Sequence, residues 1–195
     1  MAFQIFTPGI LEHFTNNMKN YDGNYLEIGV FNGTSIASLS ETYPNKKIYG
    51  IDPFLEDGCT SHLTNISQGQ PLVNQKENTL NQIKDKANIV LFEMTSKSFV
   101  ETLNSEKIKE LNINAVFIDG DHHYEHVKND YELALSLIGN KSGLIVFDDT
   151  HVSDVSIACS EFEIIIGSRI ISKKSIRDRH SNCAMFTIKA NIKND

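Results

Sequence analysis

Acidic residues follow two of the apolar runs in this sequence, at the points where predicted strands would end. Asp119 and Asp121 follow one run, and Asp148 and Asp149 follow the next. The carboxyl ends of neighbouring parallel strands meet at one edge of a sheet, so these carboxylates should converge. Crowded carboxylates raise one another's pKa unless a cation lies among them, and Mg²⁺ prefers such oxygen ligands. These four acids therefore predict a magnesium site, with helix capping by Asp121 and Asp149 as the structural alternative.

A turn containing two glycines joins the first predicted strand to the helix that follows it. Gly29 and Gly33 come just after Glu27, and glycine lets the backbone approach a ligand closely at a helix N-terminus. Asp52 ends the second predicted strand, where a carboxylate would accept hydrogen bonds from both ribose hydroxyls. Position 31 is phenylalanine, so the dinucleotide pattern G-x-G-x-x-G is missing. A nucleoside-binding turn is predicted, and tight strand–helix packing with an Asp-Pro turn is the alternative.

Two histidines and two hydroxyl residues lie beside these predicted strand ends. His122 and His123 come directly after the acidic residues, where an imidazole would serve as a base or contact a nucleotide base. The alternative is that both histidines are structural or merely exposed. Thr95 and Ser96 follow the third predicted strand, where they would either hydrogen-bond an adenine or cap the next helix.

Short apolar runs alternate with helical patterns along the chain, which predicts an α/β fold with a mostly parallel sheet covered by helices on both faces. The clearest helix covers residues 123–138, with apolar side chains at helical spacing. The runs 163–171 and 183–189 have no long helix between them, so they predict a C-terminal antiparallel hairpin. The predicted parallel strands are residues 25–30, 47–51, 88–92, 114–118 and 144–147.

The length of 195 residues predicts one domain over residues 1–195. An N-terminal helix is expected within residues 1–23. Residues 53–76 begin with a long stretch that lacks apolar periodicity, and they are either a lid over a ligand or a surface insertion.

The overall charge limits the classes of partner. The chain carries 25 acidic and 18 basic residues, a formal net charge of -7, which argues against a long nucleic acid or an anionic membrane. No apolar run reaches the roughly 18 residues of a membrane helix.

Three widely spaced cysteines indicate reduced thiols and a cytoplasmic protein. The basic residues crowded into 169–180 predict a solvated edge strand or, alternatively, a site for an acidic substrate.

Taken together, the motifs resemble those of class I S-adenosylmethionine-dependent methyltransferases, in particular the small-molecule O-methyltransferase branch that includes macrocin O-methyltransferase-like and cephalosporin-hydroxylase-like proteins. The resemblance covers residues 25–150 and rests on LEIGVFNG at 26–33, YGID at 49–52, VFIDGDHHYE at 116–125 and GLIVFDDT at 143–150. The last two motifs, at this spacing, distinguish the branch from methyltransferases in general. The resemblance implies a Rossmann-like sheet of seven strands whose final strand is reversed.

The resemblance also implies roles for single residues. Glu27, Gly29 and Gly33 would shape the methionine and ribose side of the S-adenosylmethionine pocket, and Asp52 would hold the ribose hydroxyls. Phe54, with Thr95 or Ser96, would face the adenine, although Met94-Thr95-Ser96 departs from the Gly-Asp-Ser that relatives often carry. In metal-dependent relatives, Mg²⁺ sits among acids matching Asp119 or Asp121, Asp148 and Asp149. Asp119 also belongs to the predicted cofactor-binding set.

The predicted function is O-methylation of a small hydroxylated molecule. A magnesium ion would lower the pKa of the acceptor hydroxyl, and His122, His123 or Asp119 would take its proton. The alternatives are a nucleotide-binding oxidoreductase and a non-catalytic binding protein on the same fold. The expected partner is a small molecule, and a homo-oligomer is left possible.

Overall fold

A central sheet of seven strands organises the chain. The computed structural model describes residues 8–54, 74–177 and 182–191. The strands are β1 Asn24–Ile28, β2 Ile48–Ile51, β3 Ile89–Phe92, β4 Ile113–Ile118, β5 Gly143–Phe147, β6 Ile170–Arg177 and β7 Asn182–Ile188. The helices are α1 Pro8–Met18, α2 Thr34–Thr42, α3 Gln75–Ile83, α4 Ser96–Glu101, α5 Ser105–Leu111, α6 Tyr124–Ile138 and α7 Ser153–Ile166.

The strands lie in the order β3-β2-β1-β4-β5-β7-β6. The first five are parallel, while β7 runs antiparallel to both β5 and β6. This confirms the predicted Rossmann-like fold with its mostly parallel sheet and C-terminal antiparallel hairpin. Ile28 on β1 pairs with Ile51 on β2 and with Ile118 on β4, so three strands end at the same level and deliver the residues that follow them to one place.

Two apolar layers hold the helices on opposite faces of the sheet. On one face, α4, α5, α6 and α7 pack around Tyr131, Phe147 and Phe162. On the other face, α1 and α2 pack against the sheet through Phe14 and Ile36. Burial on both faces explains why the central strands have continuously apolar sequences, since neither face of the sheet meets water.

The predicted strand at 163–171 is wrong over its first part. The helix α7 continues to Ile166, because Val155, Phe162 and Ile166 fall on one buried face at helical spacing. Gly167 then ends the helix with a φ of 46°. The strand β6 begins only at Ile170 and carries most of the basic run.

The described basic residues on β6 therefore lie on the outer strand of the sheet, in agreement with the predicted edge strand. Lys173 and Lys174 are both exposed on β6, and Lys173 pairs with Glu163 at 2.5 Å. Charged side chains on an edge strand discourage pairing with another chain.

Parts of three predicted segments fall outside the described residues. These are residues 1–7 of the N-terminal segment, residues 55–73 of the predicted lid and residues 178–180 of the basic run. Among the helices in the described ranges, none has the length and apolarity that crossing a membrane requires.

Candidate active site

The turn after β1 brings the backbone close to the loop after β4. Gly29 has a φ of 87° and Gly33 a φ of 79°; the left-handed region is strained for any residue with a side chain. A Cβ atom on Gly29 would lie 2.0 Å from the carbonyl oxygen of Asp119. Gly29 is therefore required both by its backbone conformation and by the approach of the neighbouring loop.

Asp52, at the end of β2, ties this turn together. Its Oδ2 accepts hydrogen bonds from the backbone N–H groups of Val30 at 2.8 Å and Phe31 at 2.9 Å, and its Oδ1 accepts one from Phe54 at 2.7 Å. Burial raises the pKa of Asp52, and these three hydrogen bonds partly offset that effect. A carboxylate has about four acceptor positions, so the bonds leave Asp52 able to accept a further donor.

Glu27, on β1, is buried beneath the glycine turn and is 2% exposed. The Tyr25 hydroxyl donates to its Oε2 at 2.6 Å, and the Ser35 hydroxyl donates to its Oε1. Burial raises the pKa of Glu27 to about 7, although both hydrogen bonds lower it. The two hydroxyl partners were not predicted from the sequence. The alternation of side chains along a strand could have indicated Tyr25, because residues two apart on a strand lie on the same face of the sheet.

Asp119, His122 and Asp149 meet beyond the ends of β4 and β5, and we call these three residues the inner cluster. One ligand atom from each lies within 4.8 Å of the others. His122 Nε2 is 3.4 Å from Asp149 Oδ2. Burial raises the pKa of Asp119 well above its ordinary value, and the negative charges of Asp148 and Asp149 raise it further.

Asp148 is buried directly behind the inner cluster. Its Oδ1 accepts a hydrogen bond from the backbone N–H of Asp149 at 2.7 Å and one from Cys183 Sγ on β7 at 2.9 Å. Asp149 itself has a φ of 48°, a left-handed conformation that is uncommon for residues other than glycine and is often found at functional sites. The contact from Cys183 was not predicted, because nothing local in the sequence places β7 beside β5.

Asp121 belongs to a different group, with His123 and His126, which we call the outer cluster. Asp121 Oδ2 is 3.1 Å from His126 Nδ1, and its Oδ1 contacts His123 Nδ1 and accepts the His123 backbone N–H at 2.8 Å. Burial alone would raise the pKa of Asp121, but the hydrogen bonds from both histidines lower it below its ordinary value. The four acids predicted as one metal site are thus separated: two lie in the inner cluster and one in the outer cluster, and Asp148 belongs to neither.

The residues predicted to face the adenine are also divided. Phe54 lines a groove beyond the ends of β2 and β3, together with Lys76, Leu80 and Glu93. Thr95 instead caps α4, since its Oγ1 accepts the backbone N–H of Ser98 at 3.1 Å.

Ser96 begins α4 and hydrogen-bonds toward Asp130, a buried acid on α6 that was not predicted. Burial raises the pKa of Asp130 to about 7, and the Ser96 hydroxyl moderates that rise. A carboxyl among the apolar positions of a helix was the one signal in the sequence that could have indicated Asp130.

Comparison with known proteins identifies a family for this chain. A family model described as a methyltransferase domain matches residues 26–150. An uncharacterized protein of Acanthamoeba polyphaga mimivirus is 31% identical over 140 residues, which is 72% of this chain and 57% of that protein, so this chain spans little more than half the length of that relative.

Solved structures share the fold at low sequence identity. A precorrin-6y C5,15-methyltransferase from Geobacter metallireducens has a TM-score of 0.64 at 13% identity, covering 97% of this chain and 93% of its own. A TDP-rhamnose 3'-O-methyltransferase of calicheamicin biosynthesis has a TM-score of 0.60 at 15% identity, covering 91% and 76%. A putative caffeoyl-CoA O-methyltransferase from Staphylococcus aureus has a TM-score of 0.58 at 13% identity, covering 94% and 85%. Because the methyltransferase-domain model matches well over half of the chain, the chain belongs to the class I S-adenosylmethionine-dependent methyltransferases.

Proposed function

We propose that this chain transfers a methyl group from S-adenosylmethionine to a hydroxyl of a small molecule, assisted by a divalent ion at the inner cluster. The observation that carries the proposal is the position of the inner cluster. The backbone of Asp119 lies against Gly29, and the carboxylates of Asp119 and Asp149 lie within 4.8 Å of each other, so a methyl donor on the turn and an acceptor at the acids would be neighbours. Methyl transfer needs that arrangement, because donor and nucleophile must be aligned in a space from which water is excluded.

The residues around the turn fit the cofactor. Asp52 keeps acceptor capacity beside a turn of backbone amides, and Phe54 lines a groove with Leu80. A ribose diol would donate to Asp52, and the adenine would lie against Phe54. When bound, the cofactor supplies an electrophilic methyl group on a sulfonium; the chain's residues supply binding and orientation.

The inner cluster also fits a divalent ion. Burial raises the pKa of both Asp119 and Asp149, and neighbouring carboxylates raise that of Asp119 further, so a cation between them would stabilise their charged forms. Asp119 and Asp149 would hold Mg²⁺, with Asp148 behind them as a further oxygen donor. The ion would lower the pKa of an acceptor hydroxyl and fix its direction.

Of the three predicted bases, Asp119 is assigned to the ion, and His122 is the better placed of the two histidines. Its Nε2 lies 3.4 Å from Asp149 Oδ2 within the inner cluster, whereas His123 is turned toward Asp121 in the outer cluster. We therefore assign proton acceptance from the substrate hydroxyl to His122.

A small acceptor is supported by the substrates named for two structural neighbours. One is a methyltransferase of TDP-rhamnose and the other a putative methyltransferase of caffeoyl-CoA. A sugar or a phenolic compound with neighbouring hydroxyls would offer two oxygens to an ion at the inner cluster.

Calorimetry and an activity screen test the proposal. S-adenosylhomocysteine should bind and NAD should not. Binding of NAD without binding of S-adenosylhomocysteine would contradict the proposal and support the oxidoreductase.

The activity screen measures release of S-adenosylhomocysteine across sugar and catechol acceptors. The test variant is Asp149→Asn, and its control is Asp85→Asn at an exposed position. The wild type and Asp85→Asn should both be active and require Mg²⁺, whereas Asp149→Asn should be inactive. Activity that survives complete chelation would remove the ion from the mechanism, and cofactor binding without turnover on any acceptor would favour the binding protein.

A further inference from the structure

The outer cluster has a ligand set different from that of the inner cluster. Asp121 offers a carboxylate, and His123 and His126 offer imidazole nitrogens. One ligand atom from each of the three lies within 4.8 Å of the others, and both histidines turn Nδ1 toward the carboxylate. Two imidazoles with one carboxylate form a donor set that binds borderline transition metals such as Zn²⁺ better than Mg²⁺.

The backbone around the outer cluster is fixed by contacts on several sides. His123 is the N-cap residue of α6 and His126 lies in its first turn, so both are carried by one helix of 15 residues. Val127 anchors that turn in the apolar layer, and the Tyr124 backbone N–H donates to Asp154 Oδ2 at 3.2 Å. The Asp121 carboxylate is oriented by the His123 backbone N–H. Donors held this way need little rearrangement to bind an ion.

The outer cluster is also open on the solvent side. The side chains of His123 and His126 are 46% and 55% exposed, while that of Asp121 is 21% exposed. This exposure gives an ion an entry path and leaves room for water to complete the coordination. Three protein ligands and one water would make a four-coordinate zinc site with one exchangeable position.

We propose that Asp121, His123 and His126 form a second metal site, selective for Zn²⁺ or a similar borderline divalent ion and separate from the inner cluster. The ion would replace the contacts that Asp121 now makes with the two imidazoles. It would tie the loop after β4 to the first turn of α6. Because Asp119 and His122 belong to the same loop, an ion at the outer cluster would also restrain the backbone that carries the inner cluster.

Zinc titration of the full chain tests this site without requiring methyl transfer. Metal-free protein is titrated with ZnCl₂ by calorimetry in the presence of excess Mg²⁺. The test variant is His126→Ala, and the control is His13→Ala, which removes an exposed histidine from α1 in the opposite helix layer. We expect one Zn²⁺ per chain in the wild type and in His13→Ala, and binding at least about 10-fold weaker in His126→Ala, since even outer-shell changes weaken metal sites by about that much.

A third variant separates the two clusters. In Asp149→Asn the inner cluster loses a ligand while the outer cluster is intact, so Zn²⁺ binding should persist. Zinc binding that is lost in Asp149→Asn but kept in His126→Ala would assign the ion to the inner cluster and overturn the proposal. The proposal would also be overturned if wild-type protein, shown by circular dichroism to be folded, did not bind Zn²⁺. Neither result bears on whether the chain binds S-adenosylmethionine.

Discussion

Replacing Glu27 with glutamine should make the protein more stable at alkaline pH. Glu27 is 2% exposed, and burial raises its pKa from 4.5 to about 7. A carboxyl whose pKa is raised on folding holds its proton longer in the folded state than in the unfolded state. The free energy of unfolding therefore falls as the pH rises from 4.5 to 7.

The size of this effect follows from the pKa shift. At about 1.4 kcal/mol per pKa unit, the shift corresponds to a loss of about 3 kcal/mol above pH 7. Glutamine has no charge to desolvate. It can still hydrogen-bond to both neighbouring hydroxyls, since its amide oxygen accepts a hydrogen bond from one and its amide N–H donates to the other. Glu27→Gln should thus be more stable than the wild type by about 3 kcal/mol at pH 8 and by less than about 1 kcal/mol at pH 5.

Urea denaturation at pH 5 and pH 8 measures the difference. The control is Glu12→Gln, which makes the same change at an exposed position on α1 and should alter stability little at either pH. Equal or lower stability of Glu27→Gln at pH 8 would refute the reasoning. That outcome would mean that the folded protein compensates the Glu27 charge by some other route.

Three other substitutions test the remaining structural arguments. Gly29→Ala should lower the free energy of unfolding by more than Gly167→Ala in chemical denaturation. Both glycines have a positive φ, at which a side chain costs about 1–2 kcal/mol. Of the two, only Gly29 would bring its new Cβ against backbone, 2.0 Å from the Asp119 carbonyl oxygen. Equal losses of stability in the two variants would contradict this argument. Asp52→Asn should weaken S-adenosylhomocysteine binding at least about 10-fold, because an amide nitrogen replaces one of the oxygens that orient the turn. Calorimetry measures this affinity, and an unchanged value would show that Asp52 does not belong to the binding site. Lys174→Val on β6 should produce larger species in sedimentation experiments, since it removes a charge from the edge strand; an unchanged profile would show that Lys174 does not protect this edge.

Much of the fold could be predicted from local pattern. The helix α6 begins one residue later than predicted and ends at the predicted residue, 138. The five parallel strands begin within one residue of their predicted starts, although β1 ends two residues earlier than predicted. These elements are long or strongly patterned, and their ends carry glycine or acidic residues. The end of α7 could not be predicted in this way, because a short apolar run such as 164–166 fits a buried strand and a helix equally well. Packing of Phe162 and Ile166 against the sheet decided between them.

The sequence by itself determined that acidic residues would collect at one edge of the sheet, because parallel strands that end in acids must place them there. Only the tertiary structure decided how these acids are grouped. Asp119 and Asp121 are two residues apart, yet one faces His122 and Asp149 while the other faces His123 and His126. The direction of a side chain in a loop depends on the turn at Gly120 and on where α6 begins, and neither follows from residue types. The same holds for Cys183, which reaches Asp148 only because β7 inserts between β5 and β6.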